Sequence, residues 1–200
     1  MKTSIKTLIA TSLTAIVLTS SIFAADANAG EKKPTTSVNA ASNYKRIVIK
    51  GNVEVTLIQG AKEGVSYTDD NTGKAKIMQE GNILKISSSD KDLVKITVYV
   101  ADIFRIDASD NAVVKTNGKI RTKYLQVFLR GNAQAEINST TEGLYTVIED
   151  YSDLKLSGAT DNHTIVMGKT PKLTIDRFAA LKTNMSSGEA SINQTVALIK

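Results

Sequence analysis

A short segment of alternating apolar and polar side chains recurs along this chain, and that recurrence constrains the fold more than any other feature. Copies run over Phe104–Val114, Leu125–Ala135, Thr146–Leu156 and Leu173–Thr183, with starts 21, 21 and 27 residues apart. An earlier stretch, Arg46–Val55, fits the same template. Aligned, the copies sort residues into columns. Ile47, Ile106, Val127, Ile148 and Ile175 form one β-branched column, expected to be buried. Val53, Ala112, Ala133, Leu154 and Leu181 form a second apolar column. Glu54, Val113, Gln134, Lys155 and Lys182 make up a mostly polar column between the inward ones. Asn52, Asn111, Asn132 and Asp153 coincide where a strand would turn, and Asn and Asp tolerate a left-handed backbone at such corners. A period near twenty residues implies a stacked architecture. Leucine-rich repeats share it but need an L-x-x-L-x-L core and usually a helical return, and neither is seen. The alternative of an ordinary antiparallel sandwich leaves the repeat unexplained. The better reading is a parallel β-helix-like stack of short coils about 4.8 Å apart, each burying its inward side chains on its neighbours.

The region before the repeats is also β. Ile47, Ile49, Val53, Val55 and Leu57 alternate with polar residues, the period of half-buried strands. Lys76–Met78 and Ile83–Ile86 flank Glu80-Gly81-Asn82, which reads as an antiparallel hairpin, and Val94–Val100 reads as another strand. Nothing after Tyr44 has the period of an amphipathic helix.

The N-terminus differs in kind. Lys2 and Lys6 precede an uncharged run from Thr7 to Phe23, followed by Ala24, Ala25, Ala27 and Ala29. This is the layout of a signal peptide with an A-x-A cleavage site. Threonines and serines dilute the run below what a spanning helix requires. The expected organisation is a signal peptide over 1–29, a polar leader over 30–43 and one β-domain over 44–200. The expected location is the periplasm, the cell surface or the medium, with no membrane span after cleavage. Cysteine is absent, which excludes disulfides and a lipid-modified cysteine after the apolar run, so the core alone must hold the fold. The formal charge is +5, but basic residues are scattered among acidic ones. A nucleic-acid partner would call for clustered charge, so none is expected.

The opening of the β-region, Tyr44-Lys45-Arg46-Ile47-Val48-Ile49-Lys50-Gly51-Asn52-Val53-Glu54-Val55-Thr56-Leu57-Ile58-Gln59-Gly60, resembles the start of the putative auto-transporter adhesin, head GIN domain family, and the later copies resemble its run of short coils. The resemblance covers about residues 44–195. It implies an exported, bacterial, adhesin-like protein with a right-handed parallel β-helix. Where family coils turn through Gly-Ser-Gly strings, this chain has Ser109-Asp110-Asn111, Arg130-Gly131-Asn132, Tyr151-Ser152-Asp153 and Phe178-Ala179-Ala180. No contiguous Gly-Ile-Asn occurs; the nearest string is Ser191-Ile192-Asn193. The resemblance carries over no catalytic residue.

The residues themselves argue for binding rather than catalysis, with no cofactor and no metal. The single histidine, His163, lies in Asp161-Asn162-His163-Thr164 and reads as a surface-loop residue, and no G-x-S-x-G elbow is present. One histidine without cysteine cannot make an ordinary zinc site. Glu149, Asp150 and Asp153 form an acidic cluster, the basis of the alternative, a polysaccharide-active β-helix lyase or hydrolase, or a calcium site. The alignment also sets Asp150 level with Arg177, which points to a structural ion pair instead. Ser109, Arg130, Tyr151 and Phe178 share an outward column, beside Asp107, Phe128, Glu149 and Asp176. Phe128, Arg130, Tyr151 and Phe178 are therefore the candidate binding residues, since exposed aromatics with arginine gain contact area at low entropic cost. The expected ligand is a glycan or an envelope protein.

Overall fold

The computed structural model describes residues 43–188. The expected signal peptide, the leader apart from Asn43, and residues 189–200 lie outside the described residues. The described chain is all-β, a curled, mixed sheet without helical elements. Its strands are β1 Arg46–Gly51, β2 Val53–Gln59, β3 Gly64–Tyr67, β4 Lys76–Glu80, β5 Ile83–Ser88, β6 Val94–Val100, β7 Arg105–Ser109, β8 Val113–Thr116, β9 Ile120–Arg121, β10 Tyr124–Leu129, β11 Gln134–Ile148, β12 Asp153–Met167 and β13 Lys172–Ser187.

Two ladders run side by side. One is β4-β5-β1-β7-β10, continued by the second half of β11. The other is β3-β6-β2-β8, continued by the first half of β11. The long strands β11, β12 and β13 pass through both, which joins the ladders into one sheet. Pairing is parallel except at the outer strands, where β4 pairs β5 and β3 pairs β6 antiparallel. The expected hairpin at Glu80-Gly81-Asn82 is the β4–β5 pair.

Alternation sets which side chains face the core. In the first ladder Leu84, Ile47, Ile106 and Val127 lie in register and are all fully buried. In the second, Ile96, Val55, Val114 and Ala135 lie in register and are buried. β-branched residues suit this arrangement because their stiff side chains pack on the pleated surface without loss of rotamer freedom. Both inward faces meet in one apolar cluster.

The register departs from the sequence expectation after β10. Val127 lies beside Thr146, not Ile148, and Thr146 beside Ile165. Ile148 is buried beside Leu129. Leu154 stacks on Ala135, and Leu173 on Leu154, so the fourth copy sits on the second ladder. Ile175 and Leu181 are exposed rather than buried. The left-handed corner is one residue earlier than expected at Gly51, Asp110 and Gly131, with φ 87°, 63° and 68°, and three residues earlier in the next copy, at Asp150 with φ 57°. The asparagines follow it and form part of a ladder, with Asn132 Nδ2 donating to Asn111 Oδ1 at 3.2 Å. A further corner is at Gly158, φ 100°, where an added Cβ would lie 2.0 Å from the Ser139 carbonyl oxygen, so only glycine fits.

Candidate functional site

The outward side of the first ladder carries the densest polar chemistry. Because the strands are parallel and in register, outward residues of successive strands form rows. Arg46, Arg105, Gln126 and Tyr145 make one row, and Val48, Asp107, Phe128 and Val147 the next. Arg46 Nε donates to Asp107 Oδ2 at 2.8 Å, and Arg105 Nη2 donates to Asp107 Oδ1 at 2.8 Å. The Arg105 guanidinium lies over the Phe128 ring, 3.8 Å from its centroid, and the Tyr145 ring centroid is 5.8 Å from that of Phe128. Arg130 Nε donates to Glu149 Oε2 at 2.7 Å. Arg46, Arg105, Asp107, Phe128 and Arg130 line a groove of ≈ 240 Å³. One carboxylate clamps two guanidiniums and a ring supports one of them, so the donors are held in a fixed plane.

Of the four candidate binding residues, Phe128 and Arg130 line this groove. Tyr151 lies past the Asp150 corner, 75 % exposed, with its backbone N–H on the Gly131 carbonyl. Phe178 is elsewhere: it pairs with Gly158 and packs edge-on against the His163 ring, with centroids 5.3 Å apart. Arg46, Arg105, Asp107 and Tyr145 were not singled out from the sequence. The alignment held a signal for the arginines, since Arg46 and Arg105 precede the same β-branched column in their copies.

The acidic residues do not converge. Glu149 is taken by Arg130, Asp150 Oδ2 accepts the Gly131 N–H at 2.8 Å, and Asp153 faces Lys172 at 3.7 Å. Arg177 pairs with Ser157, not with Asp150. Among the described residues no group of three His, Cys, Asp or Glu side chains is placed to hold a metal ion.

His163 is not in a surface loop. It is in β12, between Leu144 and Thr183, and 2 % exposed. Its Nε2 is 3.1 Å from Thr146 Oγ1. Burial pushes its pKa down to about 4, so the ring is neutral at pH 7. Its hydroxyl partner Thr146 is fully buried as well. Among the described residues no helix is long and apolar enough to cross a membrane.

A family model described as "Putative auto-transporter adhesin, head GIN domain" matches residues 43–198. Solved structures share the fold. A putative adhesin from Bacteroides fragilis superposes with a TM-score of 0.65 at 16% identity, covering 78% of this chain and 77% of that one. A putative adhesin from Parabacteroides distasonis gives 0.57 at 11%, covering 77% of each chain. A putative lipid binding protein from the same organism gives 0.56 at 13%, covering 77% of this chain and 78% of that one. No curated protein matches the sequence.

Proposed function

We propose, from the premise that this chain belongs to the putative auto-transporter adhesin, head GIN domain family, that it is an exported, non-catalytic binding module of the bacterial cell envelope. Its ligand is a glycan or an envelope protein, held on the outward face of the first ladder. The observation that carries this reading is the rigid Arg46–Asp107–Arg105 clamp laid over Phe128, beside Arg130. Such a surface offers planar donors and an aromatic face, and its carboxylate, Asp107, is engaged by two guanidiniums, which suits recognition and not turnover. The scaffold is read as a right-handed parallel β-helix, supported by parallel partners 19 to 21 residues apart along the chain. Export rests on the charged, then apolar, then alanine-rich N-terminus.

Two measurements test these points. N-terminal sequencing of the protein recovered outside the cytoplasm is expected to start between Ala25 and Gly30; recovery of an intact Met1 in a membrane fraction overturns export by cleavage. In pull-downs of glycans and envelope fractions, Tyr151→Ala combined with Arg130→Ala is expected to weaken capture about tenfold, roughly 1.4 kcal/mol, with the thermal midpoint unchanged. Both side chains are exposed, so neither supports the core. Capture equal to that of the unaltered protein places the binding surface elsewhere on the sheet.

A further inference from the structure

A groove of ≈ 880 Å³ lies at the other end of the same face. It is lined by Lys50, Lys74, Lys76, Ser87 and Ser89, with Asn52 at its base. Its walls are tied together by the backbone and short side chains. Ser88 Oγ donates to the Lys74 carbonyl at 2.9 Å, Asp90 Oδ2 accepts the Lys74 N–H at 3.1 Å, and Asn52 Nδ2 donates to the Lys91 carbonyl at 3.0 Å. Asp90 thus serves the wall. Asp110, also lining the groove, sits on the left-handed corner.

The register turns this groove into part of a longer track. Lys76 pairs with Ser87, Ser87 with Lys50, and Lys50 with Ser109. Arg130 follows, its N–H on the Ala108 carbonyl. From β4 through β5, β1 and β7 to the residue after β10 the row therefore reads cation, hydroxyl, cation, hydroxyl, cation, the last of them, Arg130, held through its Nε by Glu149. Adjacent strands are about 4.8 Å apart, so successive cations stand roughly 10 Å apart. Lys50 and Lys76 have no ion-pair partner among the described residues, and the hydroxyls of Ser87 and Ser109 make no hydrogen bond to the described protein.

We infer that the row Lys76–Ser87–Lys50–Ser109–Arg130 is a docking track for an extended anionic polysaccharide lying across the strands. The inference rests on the binding reading above and names its ligand class. Lysine ammoniums act as point charges toward carboxylate or phosphate. The alternating hydroxyls are left for sugar hydroxyls, and the cation spacing is comparable with the length of a disaccharide unit. A compact headgroup or a free phosphate would use one cation of the row, whereas a chain with an acid on alternate sugars uses all of them. No aromatic ring lines the lysine groove, so charge and hydrogen bonds carry affinity there, and it is sensitive to salt.

The test uses the full exported chain and hyaluronate, whose carboxylates fall on alternate sugars. Neutral dextran, phosphatidylglycerol vesicles and inorganic phosphate are the comparison probes. Hyaluronate is expected to bind, and Lys50→Gln with Lys76→Gln is expected to weaken it at least tenfold and flatten its salt dependence. Lys119→Gln with Lys155→Gln removes the same charge away from the row and is expected to change binding less than twofold. An equal loss in both pairs means diffuse charge and overturns the track. So does dextran binding as tightly as hyaluronate, or vesicles or phosphate binding more tightly than hyaluronate. If hyaluronate fails to bind while envelope fractions are still captured, the track is wrong and the binding module stands. If neither is captured, both fall.

Discussion

Val127→Asp is expected to destabilise the protein by on the order of 4 kcal/mol, a large share of the roughly 5–15 kcal/mol that holds an ordinary domain folded. Val127 is fully buried between Ile106 and Thr146 in the first ladder, with Ile47 one strand further. A carboxylate there has no cation to meet. It must either stay charged without a partner or bind a proton and leave a polar group poorly bonded, and both states cost heavily. The informative control is Ile175→Asp. The sequence alignment sets Ile175 in the same column as Val127, but the residue is 51 % exposed in β13. Its replacement is expected to change stability by about 0.5 kcal/mol or less. Urea unfolding of both variants reads the difference directly. Similar losses for the two would overturn this strand register.

The second large effect is a pH dependence carried by one residue. His163 has its pKa lowered from 6.5 to about 4 by burial. The unfolded chain therefore binds a proton in a range where the folded chain does not. Stability from this group is complete above pH 6.5, falls as the pH drops toward 4, and is gone below that. A shift of this size corresponds to about 3 kcal/mol across the window. His163→Gln retains a partner for Thr146 Oγ1 but does not titrate, so its stability is expected to stay flatter between pH 6.5 and 4. Because His163 is the only histidine, its ring signals give the titration without assignment by difference. A midpoint near 6.5 in the folded protein, or equal pH slopes in the two proteins, would show that the ring is hydrated.

The strand that carries this buried histidine has no apolar alternation around it. Its neighbours Asp161, Asn162 and Thr164 are polar, so the segment looks like a loop. In the fold Asp161 and Asn162 point outward, and the two inward polar groups, Thr146 and His163, satisfy each other. A buried polar pair is stable when bonded, but in sequence it removes the apolar marks that a strand reader follows. The repeat columns set Phe178 level with Tyr151, but its position is decided by the continuous strand β13 and by contact with the His163 ring.

Alternation of apolar and polar residues along each segment sufficed to establish the all-β class, the hairpin at Gly81, the strand Val94–Val100 and the inward placement of Ile47, Ile106 and Val127. Those features depend on local period, which a sequence carries in full. What only the tertiary structure decided was the register between repeats. Lys115 pairs with Glu136, but Ile120 pairs with Ser139, so two residues around Gly118 have no counterpart in the next repeat. They are taken up in a turn, and the partners from β10 to β12 move by two; between β12 and β13 an irregularity at Lys155/Ser157 shifts the register by one more residue. Side chains in a strand alternate with a period of two, so a slip of two keeps each residue on its own face and leaves the hydrophobic pattern intact. The pattern is therefore silent about the slip, and only pairing across strands reveals that Arg130 meets Glu149, that Phe128 lies between Asp107 and Val147, and that Lys76, Lys50 and Arg130 stand in one row.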